Sequence, residues 1–215
     1  MRLHREGNAS ILLVVTLGSL ATAASVLYAP PALAWLVAAL SLAALALILN
    51  FFRYPQRPLQ QQADAVLAPS HGKVVVIEAV EDPELGPARQ ISIFMSPLDV
   101  HVNYSPVAGT VETYAYRKGK YLMAFNPKSS LLNEQTWLVI NSRGSRVGVK
   151  QIAGFLARRI KCYAQAGNTL QQAEEFGFIK FGSRLDVLIP LDWQVQVQLG
   201  QRTQGGQTVL ARRTS

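Results

Sequence analysis

A serine that follows a glycine interrupts an apolar, strand-like segment near the end of the chain. The segment covers residues 176–190, and the pair is Gly182 and Ser183. A serine hydroxyl is a potential nucleophile. A glycine within a strand, however, usually marks a β-bulge or a close approach of another backbone. The pair alone is therefore a weak signal, and an architectural role is the simpler explanation for it.

Three histidines, His4, His71 and His101, are the other groups that suit proton transfer near neutral pH. An unperturbed imidazole has a pKa of about 6.5, which suits general acid or base catalysis. His101 follows Asp99 by two residues. If that segment is extended, the two side chains lie on one face. A lone histidine is more often structural than catalytic, and an aspartate is common at a strand end or in a turn. The spacing therefore leaves both a structural and a catalytic role open for each residue.

The composition excludes several kinds of site. The single cysteine, Cys162, cannot form an intramolecular disulfide framework or a multi-cysteine zinc site, and three histidines are too few for a histidine-rich metal site. The sequence has no phosphate-binding glycine loop, no Ser–His–Asp hydrolase pattern and no cluster spaced for metal ligation. We therefore predict no metal ion, and we expect Cys162 to be a small core residue.

Two apolar segments precede the part of the chain that carries these residues. Residues 11–52 contain no charged side chain. Within them, residues 11–28 and residues 32–52 are each close to the ~20 residues that cross a bilayer as a helix. The proline pair Pro30–Pro31 is a turn signal that breaks a continuous helix between them. The pattern predicts a two-helix transmembrane hairpin over residues 1–52.

The charges that flank the hairpin predict its orientation. Four arginines flank the two apolar segments, Arg2 and Arg5 before the first and Arg53 and Arg57 after the second. No arginine lies between the two segments. The positive-inside rule then places both ends in the cytoplasm, so we expect the cell membrane, with the following domain on its cytoplasmic side. A secretory signal peptide also fits the basic start, and a re-entrant or interfacial pair of segments is a third alternative.

The rest of the chain has the pattern of a β domain. Residues 53–65 form a polar linker, and residues 66–215 contain short β-branched or alternating runs separated by glycine and proline. This spacing is typical of a mainly β fold. The glycine-turned hairpins favour a hybrid-barrel-like sandwich of short strands. The net charge of +8 is scattered, which favours anionic lipid over nucleic acid as the partner.

Five segments in this order resemble the phosphatidylserine decarboxylases, in their short, single-domain branch. Ser183 lies in Phe-Ile-Lys-Phe-Gly-Ser-Arg, and His101 lies in Phe-Met-Ser-Pro-Leu-Asp-Val-His-Val-Asn. The other three segments cover residues 69–78, 126–130 and 151–160. The resemblance extends from about Val66 to Ala211, nearly the whole β domain.

The resemblance implies a proenzyme that cleaves itself between Gly182 and Ser183. Its products are a β chain, residues 1–182, and an α chain, residues 183–215, which stay together as a heterodimer or a higher oligomer of it. Ser183 becomes a covalent pyruvoyl group, which forms a Schiff base with the amine of phosphatidylserine. Loss of carbon dioxide and protonation then yield phosphatidylethanolamine.

The resemblance also implies roles for individual side chains. His101 is assigned general acid or base work, above all protonation of the carbanion, and Asp99 is a candidate to orient it. Three residues are candidates for binding the substrate: Arg184 next to the cleavage site, and Lys128 and Ser129 in the Asn-Pro-Lys-Ser-Ser segment.

One residue departs from the pattern of the family. Members usually have Asp-Gly where this chain has His71-Gly72, and that aspartate is tied to self-processing. His71 is a candidate base for removing the Ser183 proton. Its presence also permits the alternative of a processing-deficient homologue that acts as a membrane-anchored binding or adaptor module. A decarboxylase of another amino-lipid is a separate alternative, because the sequence does not specify the headgroup.

Overall fold

Strands account for 45% and helices for 24% of the residues that the structure describes, and the sheets are curled. This confirms the predicted mainly β class on two apolar helices. The structure is a computed structural model that describes residues 2–55, 61–120, 132–154, 159–180 and 183–214, and only the main chain of Ser183. The chain divides into two compact units, Met1–Arg57 and Pro58–Ser215.

The first unit is an antiparallel pair of apolar helices closed at its base by a two-stranded ribbon. Its elements are β1 (Arg2–Leu3), a 3₁₀ turn (Arg5–Gly7), α1 (Asn8–Tyr28), α2 (Pro31–Phe51) and β2 (Arg53–Tyr54). Pro31 begins α2, where its missing N–H costs no hydrogen bond. Gly18 of α1 lies against Ser41 of α2, so a small residue permits close packing. Both helices are long and apolar enough to cross a membrane, with mean hydropathies of 2.1 and 2.6.

The second unit consists of strands joined by short turns. They are β3 (Ala65–Leu67), β4 (Gly72–Asp82), β5 (Gly86–Met95), β6 (Val102–Tyr104), β7 (Gly109–Arg117), β8 (Gln135–Ser142), β9 (Ser145–Ile152), β10 (Arg159–Cys162), β11 (Thr169–Leu170), β12 (Glu175–Lys180), β13 (Ser183–Pro190), β14 (Gln194–Val195), β15 (Arg202–Thr203) and β16 (Val209–Arg212). Residues 152–164, whose periodicity is compatible with either a short helix or a strand, contain the strand β10.

Three antiparallel sheets form from these strands. The largest has the order β11-β7-β8-β9-β13-β5-β4-β15, and the two smaller ones are β10-β12-β6 and β14-β16-β3. The long hairpins β4–β5 and β8–β9 each pair strands that are adjacent in sequence. The strand β13 lies between β9 and β5, although about 90 residues separate it from β5 in sequence.

Alternation along the central strands gives the large sheet one apolar face. Ile91 and Ile93 of β5 and Leu185 and Val187 of β13 are fully buried, together with Val149 of β9. Residues two apart in a strand share a face, so these side chains form one core. The intervening positions of β5 and β13 face the other side of the sheet, and several of them are polar and buried.

Candidate active site

The strand-like segment around Ser183 is two strands in two different sheets. β12 ends at Lys180 in a small sheet, and β13 begins at Ser183 in the centre of the large one. Gly182 falls between them, outside the described residues. The main chain of Ser183 is in register with Met95 of β5. The predicted cleavage point therefore lies where the chain passes from one sheet to another.

His101 lies just before β6 and beside the end of β12. Its side chain is fully buried, and its carbonyl accepts from the N–H of Ile179 at 3.4 Å. Its Nδ1 is 2.8 Å from the main-chain carbonyl oxygen of Asp99. A carbonyl can only accept, so this hydrogen bond puts a proton on Nδ1. In the neutral ring, Nε2 is then the basic nitrogen, as a proton acceptor requires.

Asp99 orients His101 through its main chain rather than its carboxylate. The extended segment that would align the two side chains is absent, because residues 96–99 form a turn. The Asp99 carboxylate accepts from the N–H and the hydroxyl of Ser96 at 2.9 and 2.8 Å. It also forms an ion pair with Arg202 at 3.3 Å. Asp99 thus fixes the turn from which His101 emerges.

His71 precedes β4, which begins at the next residue after a bend over residues 69–71. β4 pairs with β5, and β5 pairs with β13. Phe94 of β5 pairs with both Lys73 of β4 and Arg184 of β13, the residue after Ser183. His71 therefore lies near the end of the large sheet at which β13 begins.

The hydrogen bonds of His71 favour one tautomer. The main-chain N–H of Gly205 donates to its Nδ1 at 3.3 Å. Since Nδ1 accepts, the proton of the neutral ring lies on Nε2. In this arrangement His71 is a donor at Nε2, which does not support the role of base that the sequence suggested. The neighbouring residue must be a glycine, because a Cβ at Gly72 would collide with the carbonyl of Phe94.

Arg184 is buried in an ion pair, which weakens the prediction that it binds substrate. Only 2% of its surface is exposed. Its Nε donates to Asp186 Oδ1 at 2.6 Å, and its Nη2 donates to the Ser92 hydroxyl at 2.6 Å. Gln90 Nε2 donates to the same hydroxyl at 3.1 Å. The guanidinium therefore holds the beginning of β13 against β5. It is not exposed to solvent, where it could bind a substrate.

We expect Asp186→Asn to destabilise the protein by about 3–5 kcal/mol, because it leaves the buried Arg184 charge uncompensated. Urea unfolding in detergent measures this loss. Asp64→Asn is the matched control, since Asp64 also lies 2.6 Å from an arginine nitrogen, that of Arg212, but is exposed. An Asp186→Asn variant no less stable than Asp64→Asn would contradict the structural role of the pair.

A buried amide network that sequence reasoning missed supports the backbone of His101. Gln151 of β9 is fully buried, and its Nε2 donates to Asn103 Oδ1 at 2.8 Å and to the carbonyl of Lys161 at 3.2 Å. Thr136 donates its hydroxyl to Gln151 Oε1 at 2.6 Å. Asn103 Nδ2 in turn donates to the carbonyl of His101 at 3.3 Å. The network joins the small sheet to the large one.

Two signals in the sequence could have identified this network. Gln151 and Asn103 both belong to the segments that carry the family resemblance. Gln151 is also a polar residue at a core-facing position of a strand, two residues after the buried Val149. Gly177 completes the arrangement, since a Cβ there would collide with the Gln151 amide.

Gln151→Met should destabilise the protein by at least about 1–3 kcal/mol, because it leaves buried polar partners unsatisfied while keeping the side-chain volume. It should also slow the chemistry, since the main chain at His101 loses the support of Asn103. Unfolding curves and the rate of self-cleavage measure the two effects. Gln165→Met, at an exposed position, is the control, and equal behaviour of the two variants would remove Gln151 from the site.

Of the other residues singled out in the sequence, some are poorly suited to catalysis and some lie outside the residues that the structure describes. Lys128 and Ser129 belong to residues 121–131, which the structure does not describe. Cys162 is half-buried and donates to the carbonyl of Ala164 at 3.4 Å, and burial raises the pKa of its thiol to about 11. It is thus a poor nucleophile at neutral pH. Among the described residues, no cluster of histidine, cysteine or carboxylate side chains could hold a metal.

Comparison with known proteins defines the class and then the family. The family model described as phosphatidylserine decarboxylase matches residues 44–211. Proteins named phosphatidylserine decarboxylase proenzyme match from Amoebophilus asiaticus (49% identity over 168 residues, 77% of this chain and 75% of the relative), Cytophaga hutchinsonii (44%, 98% of each chain) and Porphyromonas gingivalis (40%, 99% of each). These relatives support a lyase that removes a carboxyl group. The chain belongs to the phosphatidylserine decarboxylase family, which confirms the resemblance found in the sequence.

Proposed function

We propose that this protein is made as a proenzyme and decarboxylates phosphatidylserine to phosphatidylethanolamine with a pyruvoyl group derived from Ser183. The single observation that supports the proposal is that β13 begins at Ser183 shortly after β12, whose Ile179 N–H donates to the carbonyl of the buried, oriented His101. The relatives, whose names include the word proenzyme, support a self-processing chain.

Self-cleavage would begin at the hydroxyl of Ser183. Its oxygen attacks the carbonyl carbon of Gly182, the peptide nitrogen leaves, and an ester replaces the amide. Loss of the Ser183 α-proton then expels the Gly182 carboxylate and leaves a dehydroalanine at the start of the α chain. Water converts this end to a pyruvoyl group and releases the nitrogen as ammonia. A glycine before the serine favours the first step, since it tolerates strained backbone conformations.

The residues present fit a pyruvoyl group at this position. The residue after Ser183 is held on both sides, because Arg184 pairs with Phe94 of β5 and Ile152 of β9. The ion pair of Arg184 with Asp186 fixes the side chain next to the new chain end. A pyruvoyl group supplies an electron sink that stabilises the charge left by the departing carboxyl group.

The roles of the surrounding residues follow from their hydrogen bonds. His101, with Nδ1 held by the Asp99 carbonyl, presents Nε2 to accept the serine proton and later to return a proton to the product carbon. Asp99 and Arg202 hold the turn that precedes His101. His71, whose Nδ1 accepts from the Gly205 N–H, carries its proton on Nε2 and so does not remove a proton.

The cut would leave the domain folded, and the two products would stay together as a heterodimer. The α chain contributes β13, β14, β15 and β16. β13 is paired with β5 and β9, β15 with β4, and β16 with β3, all of which belong to the β chain. One cut between two sheets removes none of these pairings.

A lipid substrate agrees with the two apolar helices. Both are long enough for the ~30 Å hydrocarbon core of a bilayer, and the segments predicted as spans are uncharged. We propose that they anchor the enzyme in the cell membrane, with the arginine-flanked ends and the β domain on the cytoplasmic side. The anchor keeps the site at the surface where phosphatidylserine resides.

An intact mass spectrum of the purified, substrate-free protein tests the proposal. We expect two fragments that meet at Gly182 and Ser183, with the smaller one about 17 Da lighter than a serine-initiated chain, because ammonia is lost when the pyruvoyl group forms. A single species of 23.5 kDa would contradict the proposal. It would favour the second candidate, a membrane-anchored binding module in which His71 has disabled processing.

A further inference from the structure

A cavity far from Ser183 contains two arginines that the proposed reaction does not use. It has a volume of about 240 Å³ and lies where the chain enters the second unit, against the β8–β9 turn. Arg143, Arg213, Ser142 and Gln61 are among its lining residues. β9 runs from this turn to Ile152, which pairs with Arg184. Seven residue steps of about 3.3 Å put the cavity about 23 Å along the strand from that pair.

Arg143 lies at a turn position that disfavours its side chain. It has a φ of 52° and the following Gly144 a φ of 79°, in a two-residue loop between paired strands. Such loops need positive φ at both positions and usually contain Asn-Gly. Arg143 is exposed, and among the described residues its side chain makes no hydrogen bond or ion pair, although its charge lowers the pKa of Asp64. The turn itself therefore does not account for an arginine here.

Arg213 is held in place beside the same cavity. Its guanidinium lies 4.9 Å from the centre of the Trp193 ring and donates to the carbonyl of Ser142. Burial, and then the positive charge of Arg143, lower the pKa of Arg213. A guanidinium has five N–H groups, so most of its donors are left after these contacts.

No carboxylate among the described lining residues neutralises the two arginines. The nearby Asp64 forms its ion pair with Arg212 at 2.6 Å, and Arg143 acts on the same carboxylate only as a weaker charge that lowers its pKa. Gln172, which also lines the cavity, is saturated, since it donates to the carbonyls of Ala65 and Pro106. The cavity thus offers two like charges with unused donors, which is the arrangement that a tetrahedral oxyanion satisfies.

We propose that this cavity is a binding site for a phosphate group, separate from the site at Ser183. Its volume admits a phosphate with a small ester substituent. The phosphate belongs either to a lipid headgroup or to a soluble phosphate, and both present the same charged oxygens to Arg143 and Arg213.

Inorganic phosphate, added to the full chain in neutral detergent at constant ionic strength, tests for the site. At a phosphate concentration about a hundredfold above Kd, the unfolding midpoint should rise by roughly 5 °C or more. Arg143→Asn should fold well, since asparagine suits the turn, but should need at least about tenfold more phosphate for half the effect. Arg117→Gln removes one exposed arginine elsewhere and should respond as the unaltered chain does.

Nanodiscs distinguish the two sources of phosphate. The full chain is placed in phosphatidylcholine alone or with phosphatidylglycerol, and amide hydrogen exchange is measured at residues 142–145. Slower exchange with phosphatidylglycerol, lost in Arg143→Asn, identifies lipid, whereas a response to inorganic phosphate alone identifies a soluble ligand. No response to either probe, or equal responses from the chain and Arg143→Asn, would overturn the site. None of these readouts depends on self-cleavage.

Discussion

Ser183→Ala should yield one uncut chain of 23.5 kDa without decarboxylase activity. Alanine has no hydroxyl to attack the Gly182 carbonyl and cannot become a pyruvoyl group. The loss should be complete rather than partial, because cleavage and decarboxylation both require the same oxygen-bearing side chain. The fold should be retained, since Ser183 enters β13 through its main chain, in register with Met95. Intact mass spectrometry and carbon dioxide release from phosphatidylserine vesicles measure the two outcomes.

Ser145→Ala provides a matched control for this experiment. Ser145 begins β9 at the end of the strand remote from Ile152, and its hydroxyl has no part in the proposed chemistry. We expect normal cleavage and normal activity from this variant. Decarboxylation by an uncut Ser183→Ala chain would refute the pyruvoyl mechanism, whereas an unfolded Ser183→Ala chain would be recognised by its circular dichroism.

His101→Gln should slow self-cleavage and decarboxylation by about 10²–10⁴-fold, the usual contribution of a positioned acid or base. A glutamine amide can still donate to the Asp99 carbonyl, so the local structure should persist while the basic nitrogen is lost. The rate of cleavage is measured by time-resolved mass spectrometry after synthesis. Turnover is then measured per cleaved chain, so that the effect on each step is separate.

The same substitution at His4 controls for the loss of an imidazole. The His4 ring stacks on Tyr54, and its Nδ1 accepts from the Glu6 N–H, both within the first unit. We expect His4→Gln to cleave and turn over normally. If His101→Gln retains full rates in both steps, His101 has a structural role only, and the base must be sought elsewhere.

The sequence predicted those parts of the fold that depend on local pattern. Uncharged segments of bilayer length predicted the two helices, and alternation predicted strands such as β5 and β13. The sequence pattern could not predict which strands and side chains distant in sequence contact each other. The place of β13 between β9 and β5 depends on packing of the whole core, as does the contact of His71 with Gly205, 134 residues away.

The candidate site was predictable to a similar extent. The segments around Ser183 and His101 identified both residues, since their resemblance to a family covers many consecutive positions. Asp99 was a candidate to orient His101 with its side chain if the segment were extended, but a turn forms there and Asp99 contacts the His101 ring through its main-chain carbonyl. Arg184 resembled a substrate-binding cation in sequence, because only the position of β13 between β5 and β9 buries it with Asp186 and Ser92. Gln151 was missed because only tertiary packing distinguishes a saturated buried amide from an exposed one.

The pairing of β13, β15 and β16 with earlier strands would set the working lifetime of an enzyme whose cofactor is made from Ser183. A dissociable cofactor can be replaced when it is damaged, but a pyruvoyl group here would be the first residue of a segment whose strands are paired with β3, β4, β5 and β9. Exchange of that segment would require the domain to unfold. An irreversible modification of the group, for example its reduction or transamination, would therefore inactivate the molecule permanently. The cell would restore the activity only by synthesising a new chain.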